Sequence, residues 1–152
     1  MRKFFVPIDG SEFSERAVKE ALAQVKAFGG KVVLFNYISA DHILASDNIQ
    51  DMRSAMLDVR NWSSLMTNAE QKSYDVLEKA KAVLEGYDVE IATASGPANK
   101  IAHHIVEYAE KNDFDMIIMG SRGVGALKMR LYMGSVTTKV LHQTILPVLI
   151  VQ

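Results

Sequence analysis

The chain contains no cysteine, which excludes disulfide scaffolds, thiolate metal sites and thiol redox chemistry. It also lacks an excess of either charge: 17 Lys and Arg oppose 18 Asp and Glu, for a formal net charge of −1. Such a balance sets up no field for nucleic acid or an anionic membrane, so neither is an expected partner. Long hydrophobic runs are missing too. No run approaches the ~20 apolar residues of a membrane span. The apolar stretch within Met1-Arg2-Lys3-Phe4-Phe5-Val6-Pro7 is too short for a signal peptide. The expectation is a soluble, cytoplasmic protein.

Several signatures of catalysis are absent as well. There is no G-x-x-x-x-G-K-[ST] phosphate loop and no G-x-G-x-x-G fingerprint, because Gly123-Val124-Gly125 continues into Ala126, Leu127 and Lys128. Without a G-x-S-x-G elbow a hydrolase nucleophile has no support. No H-x-G-H motif of adenylyl-transferring enzymes occurs either. The carboxylates are scattered, with no obvious acid–base pair. His103 and Glu107 form an i, i+4 pair on a helix, a spacing more often solvent-facing than metal-binding, and His42 and His142 lack partners. No catalytic residue and no protein-borne metal site are assigned.

What is present is a pattern of alternating elements. Hydrophobic residues make up 49% of 152 positions, enough for one domain with a real core. Lys3–Ile8 reads as a strand ended by Asp9-Gly10-Ser11. Ser14 then caps a helix whose apolar face is Ala17, Val18, Ala21, Leu22, Val25 and Phe28, closed by Gly29-Gly30. Lys31–Ile38 is a second strand, apolar in succession as a strand covered on both faces should be. The stretch 39–64 is longer than a usual connection and rich in Met, and is expected to be a mobile segment feeding a helix that runs to Leu84. Val89, Ile91 and Thr93 mark a third strand, and Pro97 opens a helix with Ile101, Ala102, Ile105, Val106 and Ala109 inward. Asp115–Met119 is a fourth strand. A helix from Val136 to Gln143, with Val136, Val140 and Leu141 inward, leads to a fifth strand at Pro147–Val151. Strand–helix alternation predicts an α/β fold with a doubly wound parallel sheet and helices on both faces.

The most informative stretch follows the fourth strand. Gly120-Ser121-Arg122-Gly123 and then Gly134-Ser135-Val136-Thr137 join a buried strand to a fresh helix N-terminus. Glycine admits close backbone approach and unpaired amides point at an anion there. Ser135 and Thr137 offer hydroxyls, and Arg122, Lys128 and Arg130 surround the loop with cations. If the strand order reverses between the first and fourth strands, Asp9 and Gly120 face one crevice.

These residues, joined to Val6-Pro7-Ile8-Asp9-Gly10-Ser11, resemble the universal stress protein family, and Leu146-Pro147-Val148-Leu149-Ile150-Val151 is similar to that family's closing strand. The resemblance covers essentially the whole chain. The family motif is G-x-x-G, nine residues, then G-[ST]; here ten residues, Val124 to Met133, fill the gap. The resemblance implies a Rossmann-like fold of the adenine nucleotide alpha hydrolase type with five parallel strands. It implies ATP, with an optional Mg²⁺, held by Pro7, Ile8, Asp9, Tyr37, Met119, Gly120, Ser121, Arg122, Gly123, Gly134, Ser135, Val136 and Thr137. Within that set Asp9 meets the adenine, Tyr37 stands near the base where the family usually has a smaller residue, and the glycine loop takes ribose and phosphates. It further implies a homodimer through the strand 146–151.

Three readings are open at this level. The first is a nucleotide-binding regulator acting on a protein partner in a stress response, with at most slow incidental ATP hydrolysis. The second is a dimeric interaction module whose crevice is closed by Tyr37 and the longer loop. The third is an enzyme using another nucleotide or a flavin.

Overall fold

The computed structural model describes residues 1–39, 59–124 and 132–152, with the side chains of 59–62 set aside. Strands β1 (Lys3–Pro7), β2 (Lys31–Ser39), β3 (Asp88–Gly96), β4 (Met116–Gly120) and β5 (Val148–Val151) alternate with helices α1 (Glu12–Phe28), α2 (Val59–Val83), α3 (Ile101–Lys111) and α4 (Ser135–Gln143). All strand pairs are parallel, in the order β3-β2-β1-β4-β5. This is the doubly wound α/β sheet expected from the alternation, with β1 at its centre.

Side-chain alternation splits the interior into two apolar layers. On one face Phe4, Val6, Val32, Leu34 and Ile118 pack under Ala17, Val18, Ala21 and Val25 of α1 and Leu77 of α2. On the other, Phe5, Val33, Phe35, Ile117 and Met119 meet Ala102, Ile105, Val106 and Ala109 of α3 and Val140 of α4. Phe5 lies among Phe35, Tyr108 and Phe114 at ring-centroid distances of 5.2, 5.3 and 4.9 Å. Each fully buried side chain of this size contributes about 1.5–3 kcal/mol over exposure, so these two layers dominate the stability of the sheet.

Several expectations are corrected. Helix α1 is capped by Ser11, not Ser14: the Ser11 hydroxyl accepts from the Ser14 amide at 3.2 Å, while Ser14 is buried and its own hydroxyl donates to the Ser11 carbonyl. Phe28, counted as inward, is 57% exposed and lies under the Arg2 guanidinium at 4.5 Å. Leu141 is also exposed. The turn after Pro97 is a short 3₁₀ segment, Ala98–Lys100, before α3 begins. Of the stretch 39–64 expected to be mobile, Ser39 closes β2 and 59–64 belong to helix α2; residues 40–58 lie outside the described ones.

Candidate functional site

Strand order reverses at β1, whose partners are β2 on one side and β4 on the other. Chains leaving the carboxyl ends of β1 and β4 therefore diverge over a crevice. The register Phe5↔Ile117, continued along both strands, sets Pro7 level with Met119. Asp9 follows β1, and Ser121 to Val124 follow β4.

Asp9 ties the two loops together. One carboxylate oxygen, Oδ1, accepts from the Ser11 amide at 2.9 Å, and Oδ2 accepts from the Val124 amide at 2.9 Å. Gly123 lies against the same carboxylate, where a Cβ would stand 2.6 Å from Asp9 Oδ2. Any larger residue at 123 must displace the Asp9 carboxylate or the loop that it holds.

The loop after β4 is anchored by three further bonds. The Ser121 amide donates to the Val151 carbonyl at 2.8 Å, and the Gly134 amide donates to the Ser121 carbonyl at 2.7 Å. The buried Thr137 hydroxyl donates to the Gly120 carbonyl at 2.9 Å. Together they seat the start of α4 on the end of β4. Gly134 is the N-cap, and no side chain caps the helix. The amides of its first turn lack intrahelical acceptors and carry the positive end of the helix dipole. The Ser121 hydroxyl beside them is buried without a hydrogen-bond partner among the described residues. A buried polar atom left so is uncommon and calls for a reason. Arg122 lies over the Phe13 ring at 5.3 Å. Gly120 presses on the same residue, since a Cβ there would meet Phe13 Cβ at 2.7 Å.

The residue model for universal stress proteins matches positions 1–152. This chain belongs to the universal stress protein family. A universal stress protein of Methanocaldococcus jannaschii, MJ0531, is 29% identical over 99% of this chain and 82% of its own length. A second from the same archaeon, MJ0577, is 30% identical over 99% of this chain and 94% of its own. The solved structure of hypothetical protein MJ0577 matches with a TM-score of 0.70 over 99% of this chain and 94% of that one. A universal stress protein solved in complex with cAMP matches in fold with a TM-score of 0.67, at 23% identity over 99% of this chain and 97% of that one.

Within this universal stress protein the longer glycine spacing does not carry Gly134 away, because its amide is bonded to the end of β4. Asp9, Gly123, Gly134 and the exposed Ser135 lie about the ends of β1 and β4, with Ser121 buried beside them. Others in the expected set turn inward. Pro7 and Met119 are buried, and Ile8 is buried with its amide on the Phe35 carbonyl at 2.8 Å. Val136 packs into the α3–α4 layer. Thr137 spends its hydroxyl on Gly120, so its part is to hold α4 to β4 and not to offer a free donor. Lys128 and Arg130 lie outside the described residues. Glu107 pairs with Lys111 at 2.6 Å, and that bond holds its carboxyl below the usual range.

Tyr37 stands at the β2 side of the crevice. Its hydroxyl donates to the Pro97 carbonyl at 3.1 Å and its ring meets that of His104 at 5.2 Å. Burial pushes its phenol pKa up. Asn36, outside the set expected from the sequence, sends its amide to the Ile8 carbonyl at 2.7 Å and fixes the chain entering Asp9. Its signal was a lone amide inside an apolar run. Phe13, the pad under Gly120 and Arg122, carried no such signal.

Proposed function

We propose that the crevice binds an adenine nucleotide, ATP with or without Mg²⁺, and that the protein is a cytoplasmic stress-response regulator whose nucleotide occupancy sets its contact with a protein partner. The role is binding and not turnover. The observation that carries this reading is the orphaned Ser121 hydroxyl beside the uncapped N-terminus of α4. Phosphate oxygens would be acceptors for the first-turn amides of α4 and for the Ser121 hydroxyl. Gly123 and Gly134 let the loop fold closely on itself: a Cβ at 134 would stand 3.2 Å from Arg122 Cα, and one at 123 would stand 2.6 Å from Asp9 Oδ2. A carboxylate accepts about four hydrogen bonds, and Asp9 uses two on backbone amides. The rest of its capacity suits the exocyclic amino group of adenine. Mg²⁺, when present, would neutralise phosphate charge, and the Asp9 carboxylate is an oxygen ligand of the kind it takes. The cAMP held by a protein of this fold supports an adenosine phosphate as the ligand class.

Strand β5 supports the homodimer. It is a sheet edge, all four of its residues are only half-buried, and Ile145 before it is 89% exposed. An unpaired apolar edge recruits another strand, and a second copy does so with closed symmetry.

Equilibrium dialysis of ATP against the wild type and Gly123→Val tests the nucleotide reading. The valine methyls collide with Asp9, so binding should weaken at least about tenfold, or ~1.4 kcal/mol. Equal binding by the two removes the loop from the site, and a wild type that retains no ATP removes the function.

A further inference from the structure

Three features line up across the carboxyl ends of adjacent strands. The uncapped start of α4 and Ser121 lie over β4, Asp9 over β1, and Tyr37 over β2. Neighbouring strands are about 4.8 Å apart, so donors, a carboxylate and an aromatic ring follow one another along roughly 10 Å. A nucleotide likewise carries an anion at one end and, at the other, a flat base whose amino group is a donor for the carboxylate.

The Tyr37 ring is held in place from several directions. Its hydroxyl is committed to Pro97, where β3 gives way to the turn before α3. The His104 ring of α3 backs it at 5.2 Å with the planes 38° apart. Gly96 makes room for it, since a Cβ there would stand 2.5 Å from the Tyr37 hydroxyl oxygen. With the hydroxyl on the Pro97 carbonyl and the His104 ring on one side, the half-buried Tyr37 keeps part of its surface accessible near the carboxyl end of β2. We propose that His104 is a positioning residue for the site: with Gly96 and Pro97 it fixes the Tyr37 ring as the wall on which the nucleobase stacks. The inference rests on the nucleotide reading above and adds to it how the base end is built. A tyrosine already immobilised loses no further rotamer freedom when a base arrives. The binding free energy of stacking is then not offset by ordering.

ATP and inorganic tripolyphosphate, which has no base, are compared by equilibrium dialysis on the full chain. The readout is the ratio of their affinities, so an overall loss of folded protein cancels. Base–aromatic stacking predicts that Tyr37→Ala lowers this ratio by roughly tenfold. Tyr37→Phe, which keeps the ring but frees it from Pro97, falls between Tyr37→Ala and the wild type. His104→Ala lowers the ratio about threefold, the share expected from loosening one side chain, and His104→Phe restores it. A ratio that stays level or rises in Tyr37→Ala overturns the proposal, because the ring is then no wall or is an obstruction. A His104→Ala protein matching the wild type, or one that His104→Phe fails to rescue, overturns the positioning role even if Tyr37→Ala does not fold. A wild type that takes tripolyphosphate but not ATP overturns this inference and leaves the anion site standing. One that takes neither overturns the nucleotide reading with it.

Discussion

At the scale of single residues, Tyr37 links the crevice to pH. Its phenol holds its proton more tightly when folded than the ordinary value near 10, because burial disfavours the phenolate. A group shifted upward on folding stabilises the native state fully below its unfolded pKa and loses that contribution as pH rises through the folded one. Deprotonation also removes the donor from the Pro97 carbonyl. Wild-type stability should therefore fall more steeply above about pH 10 than that of Tyr37→Phe. Urea unfolding midpoints measured on both proteins at neutral and alkaline pH check this, and parallel pH curves would disprove the linkage. Asp9 and Gly123 were legible as site candidates because glycine and a strand-end aspartate mark loops by local chemistry. The Tyr37–Pro97 contact was not, since 60 residues separate its partners and nothing in either neighbourhood points to the other.

At the scale of elements, the caps decide where helices begin. Ser11 accepts the Ser14 amide, and Glu12 and Glu15 place negative charge in the first turn of α1. Ser11→Ala should destabilise the protein by about 1 kcal/mol, read as a lower urea midpoint at unchanged slope; an unshifted midpoint would show that water serves the amide equally well. Both Ser11 and Ser14 have the chemistry of a cap, and sequence alone did not choose between them. The backbone did: Ser11 is extended with ψ 161° while Ser14 lies inside the helix. Strands were easier to read. β1, β2 and β4 are continuous apolar runs because helices cover both faces. β3 alternates because it is an edge with much of its length exposed. Phe28 and Leu141 kept the helical spacing but stand at or near the ends of their helices, beyond the reach of the sheet, so periodicity placed them on an inner face that has nothing there to cover them.

At the scale of the whole molecule, the edge strand β5 is where the proposed homodimer is tested. The Pro147 and Val151 carbonyls accept from Ile117 and Ser121, and parallel pairing then turns the amides of Val148 and Ile150 toward the open side. Ile150→Pro removes one outward donor and leaves the bonds to β4 in place. Light scattering should find twice the chain mass for the wild type and the single-chain mass for Ile150→Pro, with an unchanged far-ultraviolet spectrum. A variant that remains paired would put the interface elsewhere.

The position of β1 has a consequence in time. Its residues are made well before those of β4, and the Lys3 amide bonds to Asp115, 112 residues later. A nascent chain halted before β4 holds its central strand with one flank bare and Phe5 facing no partner from that side. Closing this seam is a long-range step of the kind that slows folding. The same seam is where Asp9 meets the Val124 amide. Translation therefore withholds the crevice until β4 and the loop after it have been made, and a ribosome-bound fragment that ends before them lacks the bond that closes it.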